Sequence, residues 1–240
     1  MSLTATPDGV LLVDKAAGMT SHDVVALVRR QLQIKKVGHC GTLDPIATGL
    51  LILTLGRGTK IQDLIMSEDK EYVGTLSLGK TTDTQDRAGQ VLEDRPVPEL
   101  EEERVRAAFE KFRGDFYQMP PMVSAIKQGG VPLYKLARQG KTVEREPRLV
   151  HVYRYRIDRL ALPEIDFTVL CSKGFYVRTY AHDIGAELGC GAHLKELRRT
   201  RSGRFDLARA VTVDEIKNSP PVDILEKILT LPEVSRMRGA

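Results

Sequence analysis

Two periodicities alternate along the chain, and the switches between them outline its elements. Residues 9–13 are a continuous apolar run closed by Asp14 and Lys15, the signature of a short strand buried on both faces. Val24, Val25, Leu27 and Val28 share one helical stripe, which predicts a helix from a Ser21 cap to about Leu32. Residues 34–41 read as a basic connection, 41–45 as a turn, 47–55 as a compact apolar segment and 59–66 as a short helix. Residues 70–78 alternate apolar and polar side chains and predict a strand, followed by a Thr- and Asp-rich loop over 79–89.

The second half continues in the same manner. Val105, Ala108, Phe109 and Phe112 lie at helical spacing in an acidic helix over 100–112. A proline-containing loop begins at 119–121, Gly129 and Gly130 mark a turn, and 133–138 predict a short helix ending at Gly140. Residues 149–160 and 165–171 alternate as a strand hairpin, and 176–188 predict a helix stopped by Gly189. Basic strands over 194–200 and 201–206 and helical pieces over 213–217 and 222–229 complete the chain. Strands and helices mix without regular alternation and without an internal repeat, which argues an α+β fold around a mixed sheet.

Length and composition narrow the setting. The 240 residues make one large domain or two small ones, with 42% hydrophobic and 28% charged positions typical of a globular chain. Three cysteines give no disulfide framework and point to a reducing compartment. No apolar run approaches the ~18–20 residues of a membrane span, and residues 1–9 lack the pattern of a secretory leader. The net charge of +4 says less than its distribution. Between Val24 and Leu43 there are four basic residues (Arg29, Arg30, Lys35, Lys36) and no acid, and between Lys195 and Arg209 six basic residues face two acids. Residues 93–103 carry six acids against Arg95. Such polarity suits a face that binds polyanions, or simply solvated helix faces.

Three clusters could carry chemistry. In the first, residues 38–49 (GHCGTLDPIATG), Asp44 precedes Pro45 and is pushed out of the helical region. It reads either as a helix cap or as a carboxylate held in a rigid turn, with His39 five residues upstream. The second, residues 171–179 (CSKGFYVRT), offers an aromatic, a guanidinium and an ammonium near a strand end; Arg178 beside a carboxylate would keep that carboxylate ionised. The third is Lys70-Glu71-Tyr72, which alone reads as an ordinary half-buried strand. Cys190 and His193 lack a matching pair at zinc spacing, residues 56–60 (GRGTK) lack the P-loop spacing, and the neighbours Ser21, His22 and Asp23 do not constitute a triad.

Taken together and in order, these segments resemble the TruB family of tRNA pseudouridine synthases. The similarity continues through Leu78-Gly79, Thr82-Asp83-Thr84, Gln118-Met119-Pro120-Pro121, Ser124-Ala125-Ile126-Lys127, Tyr134 and Ala137-Arg138-Gln139-Gly140. It closes with Gly189-Cys190-Gly191-Ala192-His193 and Leu197-Arg198-Arg199, covering residues 9–217. The resemblance implies a pseudouridine-synthase fold of mixed central sheet, flanking helices and catalytic cleft, with an RNA-gripping excursion inserted near 118–148. It implies residues 1–217 as catalytic domain and 218–240 as a short extension, where family members usually continue into a C-terminal RNA-binding domain of PUA type. Cys40 stands where the family often has Thr, and Val123 where it often has an aromatic residue.

The resemblance also assigns roles. Asp44 matches the catalytic nucleophile, Tyr72 the aromatic against the target ring and a candidate for handling its proton, and Arg178 the basic partner of the carboxylate. His39 matches the residue that helps extrude the nucleotide; Tyr176 and Leu197 match further contacts to it, with Lys15 nearby. The implied reaction turns uridine at tRNA position 55 in the T loop into pseudouridine. It is an isomerisation that requires no cofactor or metal, carried out in the cytoplasm by a monomer without an obligate protein partner or a membrane. The implied partner is the T arm of tRNA, gripped by basic residues around 29–36, 127–141 and 195–209. A noncatalytic RNA-binding protein on the same scaffold would have no need for Asp44, Tyr72 and Arg178 together. A small nucleolar RNA-guided relative would carry a further C-terminal domain and basic tails.

Overall fold

The computed structural model describes residues 7–124, 126–139 and 143–239. Residues 1–6 of the stretch read for a leader, and Ala125, Gly140 and Lys141 of the expected excursion, lie outside the described residues. So do the side chains of Lys127, Tyr134 and Arg138. In chain order the elements are β1 (Gly9–Lys15), α1 (Ser21–Leu32), β2 (Val37–His39), β3 (Thr48–Leu55), a 3-10 turn (Gly56–Ile61) and α2 (Gln62–Met66). There follow β4 (Lys70–Leu78), β5 (Lys80–Thr82), β6 (Val91–Asp94), α3 (Glu102–Glu110), β7 (Gly114–Gln118), β8 (Lys127–Gln128), β9 (Val131–Pro132) and α4 (Leu133–Arg138). The rest are β10 (Arg148–Ala161), β11 (Glu164–Cys171), α5 (Val177–Leu188), β12 (Ala192–Ser202), β13 (Phe205–Asp206), β14 (Val211–Thr212), α6 (Val213–Asn218), α7 (Pro221–Leu225), β15 (Leu229–Thr230) and α8 (Leu231–Arg238). Among the described residues no helix is long and apolar enough to cross a membrane. The chain divides into two compact units, with boundaries after Tyr72 and after Leu197.

The first unit, residues 1–72 and 198–240, is built on β1. That strand runs antiparallel to β3 from Gly9 opposite Leu55 to Lys15 opposite Gly49, and parallel to β14. β2 and the C-terminal part of β12 also pair with β3, the latter in parallel at Thr48 and Gly49. Val10, Leu12, Leu50, Ile52, Ile65, Phe205, Leu229 and Val234 belong to one core cluster, and Leu11, Val13, Leu51 and Leu53 on the opposite face of the strands are buried as well, which explains why residues 10–13 and 50–53 read as unbroken apolar runs. Residues 218–240 contribute to it: β15 pairs with β1, and Val234 of α8 is buried. Helix α1 buries the expected stripe, but its cap is Thr20. The Thr20 side chain accepts from the Asp23 amide while the Asp23 carboxylate accepts from Thr20, a capping box. Ser21 is thereby released for another task.

In the second unit, residues 73–197, the sheet runs β12–β4–β11–β10–β7. Strand β4 alternates buried and more exposed positions as its sequence predicts. The β10–β11 hairpin closes between Ala161 and Glu164, and β7 adds antiparallel to β10. Phe109 of α3 and Tyr180 of α5 meet Phe167 of β11 with ring centroids 5.8–5.9 Å apart. Gly189 ends α5 in the left-handed region at φ 86°, the conformation glycine tolerates best. Within the stretch expected as an excursion, β8 and β9 pair around Gly129-Gly130 and lead into α4.

Candidate active site

The segment carrying Asp44 is pinned at several points in the first unit. No helix follows Pro45, so the helix-cap reading of Asp44 fails. Asp44 instead opens a turn in which the Ala47 amide donates to its carbonyl at 3.0 Å, and the chain passes directly into β3. Upstream, the Leu43 amide donates to the Ser21 hydroxyl at 2.8 Å. Across the loop after β1, the Gly18 amide donates to the Pro45 carbonyl at 2.8 Å. Gly41 and Gly49 bracket the turn at φ 96° and 93°, and a Cβ on Gly49 would sit 2.3 Å from the Arg199 carbonyl oxygen. Both glycines are therefore backbone requirements.

Lys15 ends β1 fully buried, its ammonium donating to the carbonyls of Ala16 at 2.9 Å and Met19 at 2.8 Å. Burial pushes this lysine down to about 8 against the pull of the Asp44 carboxylate, and the charge of Arg199 adds to the depression. His39 is held below its ordinary value chiefly by burial, with His22 and Arg199 adding to the effect; the His22 and His39 rings meet edge-on at 5.2 Å. Burial pushes the neighbouring Cys40 thiol up to about 12, which makes it an inert core group. Tyr72 is buried on β4, where the Thr200 hydroxyl donates to the carbonyl of the adjacent Glu71 at 3.3 Å.

The second unit holds Arg178, Tyr176 and Leu197. Arg178 is almost wholly buried at the start of α5. It donates to the carbonyls of Thr84 at 2.8 Å and Val123 at 2.7 Å, and its Nε lies 3.8 Å from the Asp86 carboxylate. Asp86 is in turn oriented by the Thr84 hydroxyl at 2.7 Å and the Ala88 amide at 3.0 Å. The half-buried Tyr176 is fixed through its main chain. The Gln118 side chain accepts from the Tyr176 amide at 2.8 Å and donates to its carbonyl at 3.0 Å. Leu197 is buried on β12.

The structure thus collects Lys15, His39, Asp44 and Tyr72 in the first unit and Tyr176, Arg178 and Leu197 in the second. Three supporting residues carry no site role in the sequence reading: Arg199 and Gln118, which lie within matched segments, and Asp86. The available signal for Arg199 is local, since it lies two residues after Leu197 on β12 and both are buried. Part of the basic run expected to meet phosphates is engaged within the protein. Lys195 pairs with Glu164, Arg198 pairs with Asp14 at 2.6 Å, and Arg199 is buried. Among the described residues no cluster of His, Cys, Asp or Glu could hold a metal ion; His193 lies 3.1 Å from the Lys80 carbonyl and Cys190 is a buried free thiol.

Comparison with known proteins places this architecture. Residues 29–177 match the N-terminal domain of TruB family pseudouridylate synthases, and residues 178–223 the C-terminal domain of tRNA pseudouridylate synthase B. A tRNA pseudouridine synthase B from Opitutus terrae is 56% identical over 92% of this chain and 92% of its own length. One from Syntrophotalea carbinolica is 49% identical over 95% of this chain and 75% of its own. Among solved structures, a Cbf5-Nop10-Gar1 complex superposes with a TM-score of 0.73 at 28% identity, covering 95% of this chain and 62% of that one. An H/ACA ribonucleoprotein bound to a substrate RNA containing 2'-deoxyuridine superposes at 0.69 with 26% identity, covering 92% and 58%. This chain therefore spans about three fifths of those solved chains. The fold is that of the pseudouridine synthases, and with family matches running from residue 29 to residue 223 the chain belongs to the TruB family of pseudouridylate synthases.

Proposed function

We propose that this chain isomerises uridine to pseudouridine at position 55 in the T loop of tRNA. The identities of 56% and 49% to tRNA pseudouridine synthase B, against 28% to Cbf5 in its complex, favour a tRNA substrate over guide-directed action. The reaction breaks the N1–C1′ bond, turns the base over and joins C5 to C1′, so nothing is oxidised and nothing leaves. One ionised carboxylate is enough. Asp44 serves as nucleophile, or as partner to the sugar while the bond breaks. Arg178 keeps that carboxylate ionised. Tyr72, Tyr176 and Leu197 sandwich the free uracil while it rotates, and Tyr72 handles the C5 proton. His39 helps to extrude the nucleotide from its stack, and Lys15 adds positive charge beside Asp44. The T-arm stem-loop is the recognised element, and the enzyme acts in the cytoplasm as a monomer without cofactor or protein partner.

The observation that carries this reading is the immobilisation of Asp44. Its turn is tied on one side to Ser21 through Leu43 and on the other to Gly18 through Pro45, and its carboxylate faces the field of a buried lysine. A solvated surface aspartate requires none of this. Asp44→Asn should abolish tritium release from tRNA labelled at uridine C5 while filter binding of that tRNA persists. Normal release by the variant refutes the assignment.

A further inference from the structure

We infer that Arg199 is a positioning residue for the reaction, a buried clamp that sets the spacing between the two ends of the catalytic segment. The inference rests on Asp44 being the reactive carboxylate. Arg199 is only 1% exposed, the largest side chain among those fully buried. Its Nε donates to the carbonyl of Leu50 at 2.7 Å, and its Nη2 donates to the carbonyl of Gly41 at 3.2 Å. Those carbonyls lie on either side of Asp44, so one rigid guanidinium spans the segment that carries it.

The approach is built into the main chain as well. Arg199 pairs in parallel with Gly49, and the space a Cβ would need there is taken by the Arg199 backbone. Its Nη1 lies 3.4 Å from where a Cβ of Gly41 would be. Both glycines that bracket Asp44 therefore face the same arginine, one its side chain and the other its main chain. Among the described residues no carboxylate forms an ion pair with Arg199. A buried guanidinium whose hydrogen bonds all go to main-chain carbonyls is a costly way to pack a core. A hydrocarbon of similar volume would fill the space but could not fix the two carbonyls. The geometry explains the cost if the distance between Gly41 and Leu50 must be held within a fraction of an ångström for the carboxylate to meet its target.

The fork distinguishes a clamp from a mere charge. Lys at this position keeps the charge but offers one ammonium to two separated carbonyls, whereas Met keeps the volume and offers nothing. The test is the single-turnover rate constant at saturating enzyme, in excess over tRNA, a plateau value that does not depend on the fraction of enzyme that is folded. The dissociation constant for tRNA is measured alongside. Arg199→Met should lower the rate constant by about 100-fold while tRNA affinity stays within about twofold, the scale expected when a reactive group is displaced by roughly 1 Å. Arg199→Lys should fall between the two. A rate constant for Arg199→Met within about threefold of wild type, or a loss confined to tRNA affinity, overturns the inference. If Arg199→Met does not fold, Arg199→Lys decides, and a wild-type rate constant in that variant overturns the inference equally. Asp44→Asn run in parallel separates the two readings. If it turns over normally, the role of Asp44 is wrong. If it is inactive while the Arg199 variants are normal, only the clamp is wrong.

Discussion

Titrating Lys15 probes the electrostatics beside Asp44 without any RNA present. Its ammonium is buried among the carbonyls of Ala16 and Met19, and burial lowers its pKa from the ordinary 10.5 to about 8 even though Asp44 pulls the other way. A change of that size corresponds to about 3 kcal/mol, at ~1.4 kcal/mol per pH unit. Below pH 8 both folded and unfolded chains keep the proton, and the folded state bears the full cost of the buried charge. Between about pH 8 and 10.5 the unfolded chain binds the greater number of protons, so this group makes stability rise with pH across that window. Lys15→Met removes the titration and leaves every other group in place. The stability of wild type relative to that variant should therefore climb by about 3 kcal/mol across the window, with a steepest slope of ~1.4 kcal/mol per pH unit. Urea unfolding of both proteins at closely spaced pH values reads the difference directly. A difference that stays flat to within ~0.5 kcal/mol refutes the account. Asp44→Asn in the same series should move the rise to lower pH, because it removes the attraction that opposes burial.

Two further predictions concern the scaffold. Gly49→Ala forces a Cβ to 2.3 Å from the Arg199 carbonyl at φ 93° and should lower thermal stability, whereas an unchanged midpoint would show that β3 and β12 are less closely applied than described. The expected loss is about 3 kcal/mol, or roughly 6–12 °C in a chain of this size. Tyr180→Phe removes a buried hydroxyl without a partner among the described residues, from a ring packed on Phe109, Phe112, Phe167 and Phe175. Calorimetry should find it neutral or up to about 1 kcal/mol more stable, and a comparable loss would mean that the hydroxyl has a partner after all.

The parts of the molecule legible in the sequence are those where one local rule decides the outcome. β1 and the strand through Tyr72 follow from hydrophobic period, and the end of α5 follows from Gly189. Where two neighbouring residues obey the same rule, the sequence cannot choose between them. Thr20 and Ser21 both cap helices well, and the choice falls to Thr20 because the Ser21 hydroxyl bonds to Leu43, 22 residues away. Asp44 before Pro45 has the chemistry of a helix cap, yet the following residues enter β3, whose pairing with β1 outweighs the local preference. Strand β7 has no local signature, because Gly114–Gln118 becomes a strand only by pairing with β10. Helix α8 differs, since its Thr230–Glu233 capping box is a local signal present in the sequence itself. The candidate site divides in the same way. Asp44, Tyr72 and Arg178 take their expected roles from a motif, whereas Arg199 and Gln118 lie in matched segments without a role and owe their importance to which backbone atoms the fold brings to them.

The amide pair between Gln118 and Tyr176 has a mechanical consequence. The side chain of one residue occupies both the amide hydrogen and the carbonyl of the other, as a neighbouring strand would. The Tyr176 main chain is thus a fixed doorpost. Whatever adjustment the phenol makes to a guest must come from its own two side-chain torsions, of which the first has only three staggered resting positions. In the proposed role of Tyr176, a nucleobase that arrives beside this ring meets a panel with a small number of stops.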